Sequence, residues 1–201
     1  MITDPSTAPL GIPMTVEQWG LLDEEVRGEL VDGALVEEEV PSVIHELLVA
    51  WIIGALRVWG RPRRVLVLGS GAKLALSHDR GRSADVVAYL PDAHRPPLRG
   101  AIGVAPSIAV EVVSSTPREA RRDRVDKLAE YAAFGIRWYW VVDPELRSFE
   151  ILELGPDGRY VHALAATGGT IERVPGCEGL ALDVGALWAE VDELTREAEG
   201  G

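Results

Sequence analysis

The chain has 201 residues, 47% of them apolar and 26% charged, enough to bury one substantial core, so a single globular domain is the expectation. A formal charge of −12 excludes a broadly basic surface and with it a passive electrostatic nucleic-acid binder; a local basic rim, or metal ions masking carboxylates, stays compatible with it. The single cysteine, Cys177, excludes a disulfide framework and a cysteine zinc site, which makes a cytoplasmic protein the natural reading.

In chain order, Met1 to Pro13 lacks a basic start followed by an apolar block and reads as a frayed tail before a domain over 14–198. Thr15 to Glu25 is predicted as a short helix with a capping box from Thr15 to Gln18. Glu29 to Val36 alternates around Asp32-Gly33, the pattern of a tight hairpin. Ser42 caps a helix that carries Val43, Ile44, Leu47, Leu48, Trp51 and Ile52 and stops at Gly60 before Pro62; its wide apolar face predicts burial against a sheet. The apolar run Leu47 to Leu56, flanked by Glu46 and Arg57, falls short of the ~18 residues of a spanning helix, so no membrane partner is expected. Arg64 to Leu68 and Ala72 to Leu76 are strand candidates around a Gly69-Ser70-Gly71 turn. His78 to Ser83 reads as a polar loop, Ala84 to Leu90 as an apolar strand with Asp85 at its start, and the proline-rich Pro91 to Pro106 as a surface loop.

Ser107 to Asp143 then reads as strand, helix, strand. Ser107 to Val113 is apolar and β-branched except for Glu111. Thr116 fits an N-cap, Pro117 the first helical position and Glu119 the closing residue of a capping box, while Gly135 fits the C′ end. At ~100° per residue Ala120, Val125, Leu128 and Ala132 share an apolar arc, with Tyr131 near its edge and Lys127 on its rim. Arg137 to Val142 returns as a strand, which predicts a right-handed parallel crossover. Turns at Asp143-Pro144-Glu145 and Pro156-Asp157-Gly158 set strands Phe149 to Leu154 and Tyr160 to Ala165 in an antiparallel meander. Val184 to Ala198 closes the chain as an amphipathic helix with Leu187, Trp188, Val191 and Leu194 on its buried stripe. The predicted class is an α/β domain with a mixed sheet flanked by helices. The tryptophans fall in periodic segments and read as core, or as an interface if the chain forms a homodimer.

Two acids stand in apolar strands, Asp85 and Glu111, and ionised side chains in such settings are almost never buried unpaired. Two carboxylates with waters suit a hard divalent cation such as Mg²⁺ or Mn²⁺. Lys127, on the helix after Glu111, can reach the same place and hold a water or a phosphate oxygen. It is one of only two lysines, with Lys73, among 20 basic residues. Compositional bias explains that scarcity, or else a compact ammonium is kept where chemistry requires one. Metal, lysine and water together make a phosphodiester-hydrolysis site.

Ala84-Asp85-Val86-Val87, then Pro106 to Ser114 (PSIAVEVVS), Asp126 to Tyr131 (DKLAEY) and Tyr139 to Pro144 (YWVVDP) resemble the successive signatures of the Uma2 family, a bacterial group within the PD-(D/E)XK nucleases. Glu29 to Gly33 and Pro41-Ser42 through His45 fit its opening signature, and the resemblance covers about Met14 to Leu154. It implies a restriction-endonuclease-like mixed sheet flanked by helices, with additional antiparallel hairpins. It further implies a Mg²⁺- or Mn²⁺-dependent endonuclease acting on DNA, with Asp85 and Glu111 as catalytic metal ligands and Lys127 as a catalytic lysine moved from strand to helix. Supporting places for Glu29 and His45 follow from the same resemblance. The chain departs from the pattern at Ala84, where a proline is usual, and at Val113, where the lysine is usual.

Other readings of these residues are open. Asp85 can pair with Arg80 or Arg82, Lys127 can be a solvated helix lysine and His45 a hydrogen-bonded structural one. Arg118, Arg121, Arg122 and Arg124, alternating with Glu119, Asp123 and Asp126, read as a salt-bridged solvated face or as a phosphate-contacting rim. A non-catalytic interaction protein keeping the nuclease fold is the competing class. A serine hydrolase using Ser114 or Ser115 lacks the Gly-x-Ser-x-Gly elbow.

Overall fold

A computed structural model describes residues 13–200 except 24, 25, 27, 38, 39 and 115–120, and only the backbone of residue 122. The predicted cap of Thr116, Pro117 and Glu119, together with Ala120, Arg118 and Ser115, therefore lies outside the described residues, as does the side chain of Arg122. The elements in order are α1 (Val16–Gly20), β1 (Glu29–Val31), β2 (Ala34–Val36), α2 (Val43–Gly60), β3 (Leu66–Gly69), β4 (Lys73–Ser77), β5 (Arg80–Ser83), β6 (Val86–Tyr89) and β7 (Ile108–Val112). A π turn, Arg122–Asp126, leads into α3 (Lys127–Phe134), followed by β8 (Trp138–Asp143), β9 (Ser148–Leu154), β10 (Tyr160–Ala166), β11 (Thr170–Ile171), β12 (Leu182–Asp183) and α4 (Val184–Gly200).

Six strands form the central mixed sheet in the order β10-β9-β8-β7-β6-β3, and within it β7 and β8 are the parallel pair expected of the crossover, Ile108 opposite Trp138. The meander β8-β9-β10 is antiparallel as predicted. Because side chains alternate across a strand, Ile108, Val110 and Val112 join the core under α2 and α4, while Ala109 and Val113 join the core under α3. Glu111 belongs by parity to the α3 side, on a strand buried along its whole length. A second sheet, β2-β1-β5-β4, carries the hairpin at Asp32-Gly33, whose φ values of 51° and 75° are those that an Asp-Gly turn supplies.

Several expectations are corrected. His78 to Ser83 is not a loop: its last four residues are β5, pairing with β1 and β4, and Arg82 is buried there by its partners. Strands β3 and β4 flank the expected turn at Gly69-Ser70-Gly71 and enter different sheets, β3 pairing with β6 and β4 with β5. Helix α1 is shorter than predicted, although its Thr15–Gln18 capping box is formed. Val125 is 54% exposed, so the predicted apolar arc does not hold; Asp123, Lys127 and Tyr131 are the buried face, since the π turn rotates the preceding segment and the groups below it are polar. Helix α2 is buried along Leu48, Ile52, Leu56 and Trp59, whereas Val43 and Val58 are exposed. By length and composition Val43–Arg63 is apolar enough to cross a membrane, which counting the uninterrupted run missed, and a third of its best window is the stripe packed on the sheet.

Candidate active site

The site is assembled where β6 and β7 meet beneath α3. Their antiparallel register pairs Val86 with Val110 and Val87 with Ala109, so one step further Asp85 faces Glu111. Directly opposed residues have Cβ atoms ~5 Å apart, which brings the two acids from distant sequence to one point. The Val112 N–H donates to Asp85 Oδ2 at 2.7 Å and fixes that carboxylate against β7. His45, in the first turn of α2 below the Ser42 cap, places Nε2 3.3 Å from Asp85 Oδ1. The alternative pairing of Asp85 with Arg80 or Arg82 is not seen, because those arginines face other acids.

Glu111 is 2% exposed and both of its oxygens are engaged. Lys127 Nζ lies 2.8 Å from Oε2, and the Tyr131 hydroxyl donates to Oε1 at 2.6 Å. Lys127 is buried as well, and its ammonium also lies 3.2 Å from Asp123 Oδ1 and 3.4 Å from Glu29 Oε1. Three carboxylates thus surround one ammonium. They outweigh burial and hold the Lys127 pKa well above the ordinary lysine value. Burial raises Glu111 well above the ordinary carboxylate value and the charges of Asp85 and Asp123 add to it, with Lys127 opposing. The carboxylates around Lys127 outnumber its one charge, a surplus that contributes to both shifts and favours taking up a cation. For His45, burial works against the charged ring, but the hydrogen bond and charge of Asp85, with Glu46 and Asp123 behind it, carry its pKa above the usual value.

Sequence reasoning brought Asp85, Glu111, Lys127, Glu29 and His45 to this neighbourhood, and the structure places all five there. It did not foresee the group beneath them. Arg82, 2% exposed, sets Nη1 2.5 Å from Glu29 Oε2 and Nε 2.6 Å from Glu130 Oε2. Arg80 pairs with Glu130 and Asp32. Asp123 was placed on a solvated face; instead it is buried beside Lys127, and its carbonyl accepts the Tyr139 hydroxyl at 2.7 Å. Arg124 spans outward from the same turn to Asp143 and Glu150, at 2.8 and 3.0 Å. The one sequence signal for Arg82 was a charge isolated between small residues. Lys73, the other lysine, donates to the Trp19 and Leu22 carbonyls and so serves the packing of α1. Among the described residues no group of three or more His, Cys, Asp and Glu side chains stands ready to hold a metal ion.

The model of the Uma2 family, described as "Putative restriction endonuclease", matches residues 14–185, most of the chain. The chain belongs to the Uma2 family. Among solved structures, this Uma2 chain is similar to a "putative nuclease belonging to DUF820" from Anabaena variabilis ATCC 29413, at 16% identity with a TM-score of 0.68, covering 88% of this chain and 98% of that one. That likeness shows the restriction-endonuclease-like fold. A weaker likeness is to the type IIG restriction endonuclease BpuSI, at 17% identity and a TM-score of 0.40, over 81% of this chain and 18% of that much longer one. No curated protein matches the Uma2 chain by sequence.

Proposed function

We propose that this protein is a divalent-metal-dependent endonuclease hydrolysing DNA phosphodiester bonds, with Asp85 and Glu111 as metal ligands and Lys127 as the third member of the site. The observation that carries the reading is the juxtaposition of Asp85 with Glu111 across the β6–β7 register, with Lys127 2.8 Å from Glu111. The residues fit a hard divalent cation. A carboxylate offers about four lone-pair sites, and each of the two has one neighbour at each oxygen, which leaves further acceptor sites on both. Two carboxylates plus waters are a common Mg²⁺ donor set, and the surplus negative charge around Lys127 favours a cation there. A bound Mg²⁺ or Mn²⁺ supplies charge stabilisation at phosphorus and lowers the pKa of a water.

The chain's own residues do the rest. Val112 N–H and His45 aim Asp85, while Tyr131 and Lys127 hold Glu111 in one orientation. The Lys127 ammonium, met here by three carboxylates, turns a donor to a water or phosphate oxygen when Asp123 or Glu29 yields its place. His45, whose pKa Asp85 holds above the usual value against the effect of burial, lies 3.3 Å from Asp85 and steadies that carboxylate.

A second reading, a nuclease fold that binds without cutting, is favoured by one observation: the ammonium of Lys127 already has a carboxylate for each of its three N–H groups, and Val113 stands at the usual lysine position. Cleavage of plasmid and duplex DNA in Mg²⁺ or Mn²⁺ separates the two. Asp85→Asn, Glu111→Gln and Lys127→Met are each expected to lose cleavage by a hundredfold or more with the fold retained by circular dichroism, and a Mn²⁺ titration should lose its site in the first two. Wild-type activity in Glu111→Gln or Lys127→Met would reject the assignment, and DNA binding without cleavage by the wild type would favour the second reading.

A further inference from the structure

An acidic chain of charge −12 contains one long stretch without a single acid: residues 47–78 carry Arg57, Arg61, Arg63, Arg64 and Lys73 and neither aspartate nor glutamate. Four of these five charges gather where α2 ends. Arg57 is in its last turn, Arg61 and Arg63 form the following 3-10 turn with Pro62, and Arg64 closes that turn in the left-handed conformation. Arg95 joins them from the loop after β6 and ties the group together, donating to the Tyr89 carbonyl at 3.2 Å and to the Arg64 carbonyl at 2.5 Å. Arg63 donates to the Trp59 carbonyl at 2.9 Å and stacks over the Trp59 ring. All five arginines are exposed. The hydrogen bonds of Arg63 and Arg95 go to carbonyls, which orient a guanidinium without cancelling its charge, and no carboxylate pairs with any of the five among the described residues. The acids on the segments bonded to this pole are Asp92, in the loop of Arg95, and Glu178, whose carbonyl takes the Trp59 indole N–H.

We infer that this arginine pole, Arg57, Arg61, Arg63, Arg64 and Arg95, is a second anchoring surface for the DNA duplex, binding backbone phosphates away from the scissile one. The inference rests on the nuclease reading for its partner. The planar, permanently charged arginine fork matches phosphate oxygens, and preset orientation reduces the entropy lost on binding. Place also matters. Asp85 precedes Val86 at one end of β6, whereas the pole adjoins Tyr89 and Leu66 at the other. His45 beside Asp85 and Gly60 beside the pole lie at opposite ends of α2, roughly 22 Å apart at 1.5 Å per residue. At 3.4 Å per base-pair step that is about six to seven base pairs, so one duplex can engage both. A chain otherwise negative gains from such a separation, because the pole attracts the duplex where the carboxylate-rich site cannot.

The test is fluorescence anisotropy on a 24-base-pair duplex with Ca²⁺ present, across a NaCl series, comparing wild type, the triple variant Arg57→Ala/Arg61→Ala/Arg64→Ala and Arg159→Ala on the distant β9–β10 turn. The triple variant should bind at least tenfold more weakly at moderate salt. Its slope of log affinity against log salt should fall by up to about 2.7, at ~0.9 per lost phosphate contact, while Arg159→Ala tracks wild type. Single Arg57→Glu and Arg61→Glu variants, on an exposed turn, give the same reading if the triple variant melts early. Equal affinity and slope in all proteins, absence of duplex binding by the wild type, or loss in the variants of binding to anionic phosphatidylserine vesicles alone would each overturn the proposal. Failure of the nuclease reading is separate: it appears as wild-type cleavage by Glu111→Gln, in an assay that the pole variants do not enter.

Discussion

Arg82 holds the buried charges of the site in place without being among the residues proposed to touch the metal. Its guanidinium bridges Glu29, which is fully buried, and Glu130, and Glu29 in turn faces Lys127. Breaking a buried ion pair by deleting one partner leaves the other uncompensated, at about 3–5 kcal/mol. Arg82→Met should therefore lower the urea midpoint strongly, and Arg82→Lys should recover only part of the loss because a single ammonium cannot serve both carboxylates. The deficit has a pH signature. Burial would raise the Glu130 pKa, but the hydrogen bonds and charges of Arg82 and Arg80 outweigh it and hold the group below its ordinary value of 4.5. A depressed carboxylate stabilises the fold fully above that value, and the contribution is lost as pH falls through the folded pKa. The gap between wild type and Arg82→Met should thus be widest near neutrality and narrow below pH 4.5, read from urea midpoints at several pH values. A gap independent of pH would mean that Glu130 is not the partner that matters.

At the scale of elements, the π turn before α3 determines which side chains meet Glu111. In a π turn one extra residue enters the helical ladder, a feature frequent at functional sites. Here Asp123 and Lys127, four apart, face the buried side together, and the turn sets the direction of the segment before α3 and leaves Val125 54% exposed. Deleting Val125 should restore ordinary helical winding, carry Asp123 and its carbonyl away from Lys127 and Tyr139, and reduce cleavage to the level of Lys127→Met while α3 stays helical by circular dichroism. Val125→Ala, which keeps the extra residue, should change stability by no more than about 0.5 kcal/mol. Wild-type activity in the deletion would show that the turn does not position the site. This turn also marks where sequence reasoning stopped. The two acids Asp85 and Glu111 were legible, because a charge interrupting or opening an apolar strand calls for a partner, and the family resemblance set the two at one site. So were the crossover, the Asp32-Gly33 hairpin and the Ser42 cap, each encoded within a few residues. Projection of α3 at a uniform 100° per residue could not foresee the π turn and placed Val125 in the arc. Strand β5 was missed for a related reason: Arg82 marks a polar loop unless its acids are known, and Glu29 and Glu130 lie 53 and 48 residues away.

The whole molecule sets two opposite fields before a DNA duplex. Its net charge of −12 repels a duplex at long range, while the arginine pole, on the reading proposed above, attracts it locally. Monovalent and divalent salts should then act with opposite sign. Added NaCl screens the local attraction and displaces the advantage of counterion release, so affinity falls as it rises. Millimolar Ca²⁺ or Mg²⁺ should instead neutralise carboxylates near the duplex, by general screening over the acidic surface and, on the proposed assignment, by occupying the Asp85–Glu111 pair. Duplex affinity measured at constant ionic strength should rise on replacing NaCl with Ca²⁺, and Asp85→Asn should keep the part due to screening and lose the part due to the site. The size of the retained part tells how far the acidity of the surface, rather than the Asp85–Glu111 pair, makes divalent ions necessary for binding. If Ca²⁺ and NaCl lowered affinity alike, neither the surface carboxylates nor the Asp85–Glu111 pair would be neutralised on contact with DNA, and the metal assignment at the site would lose its support.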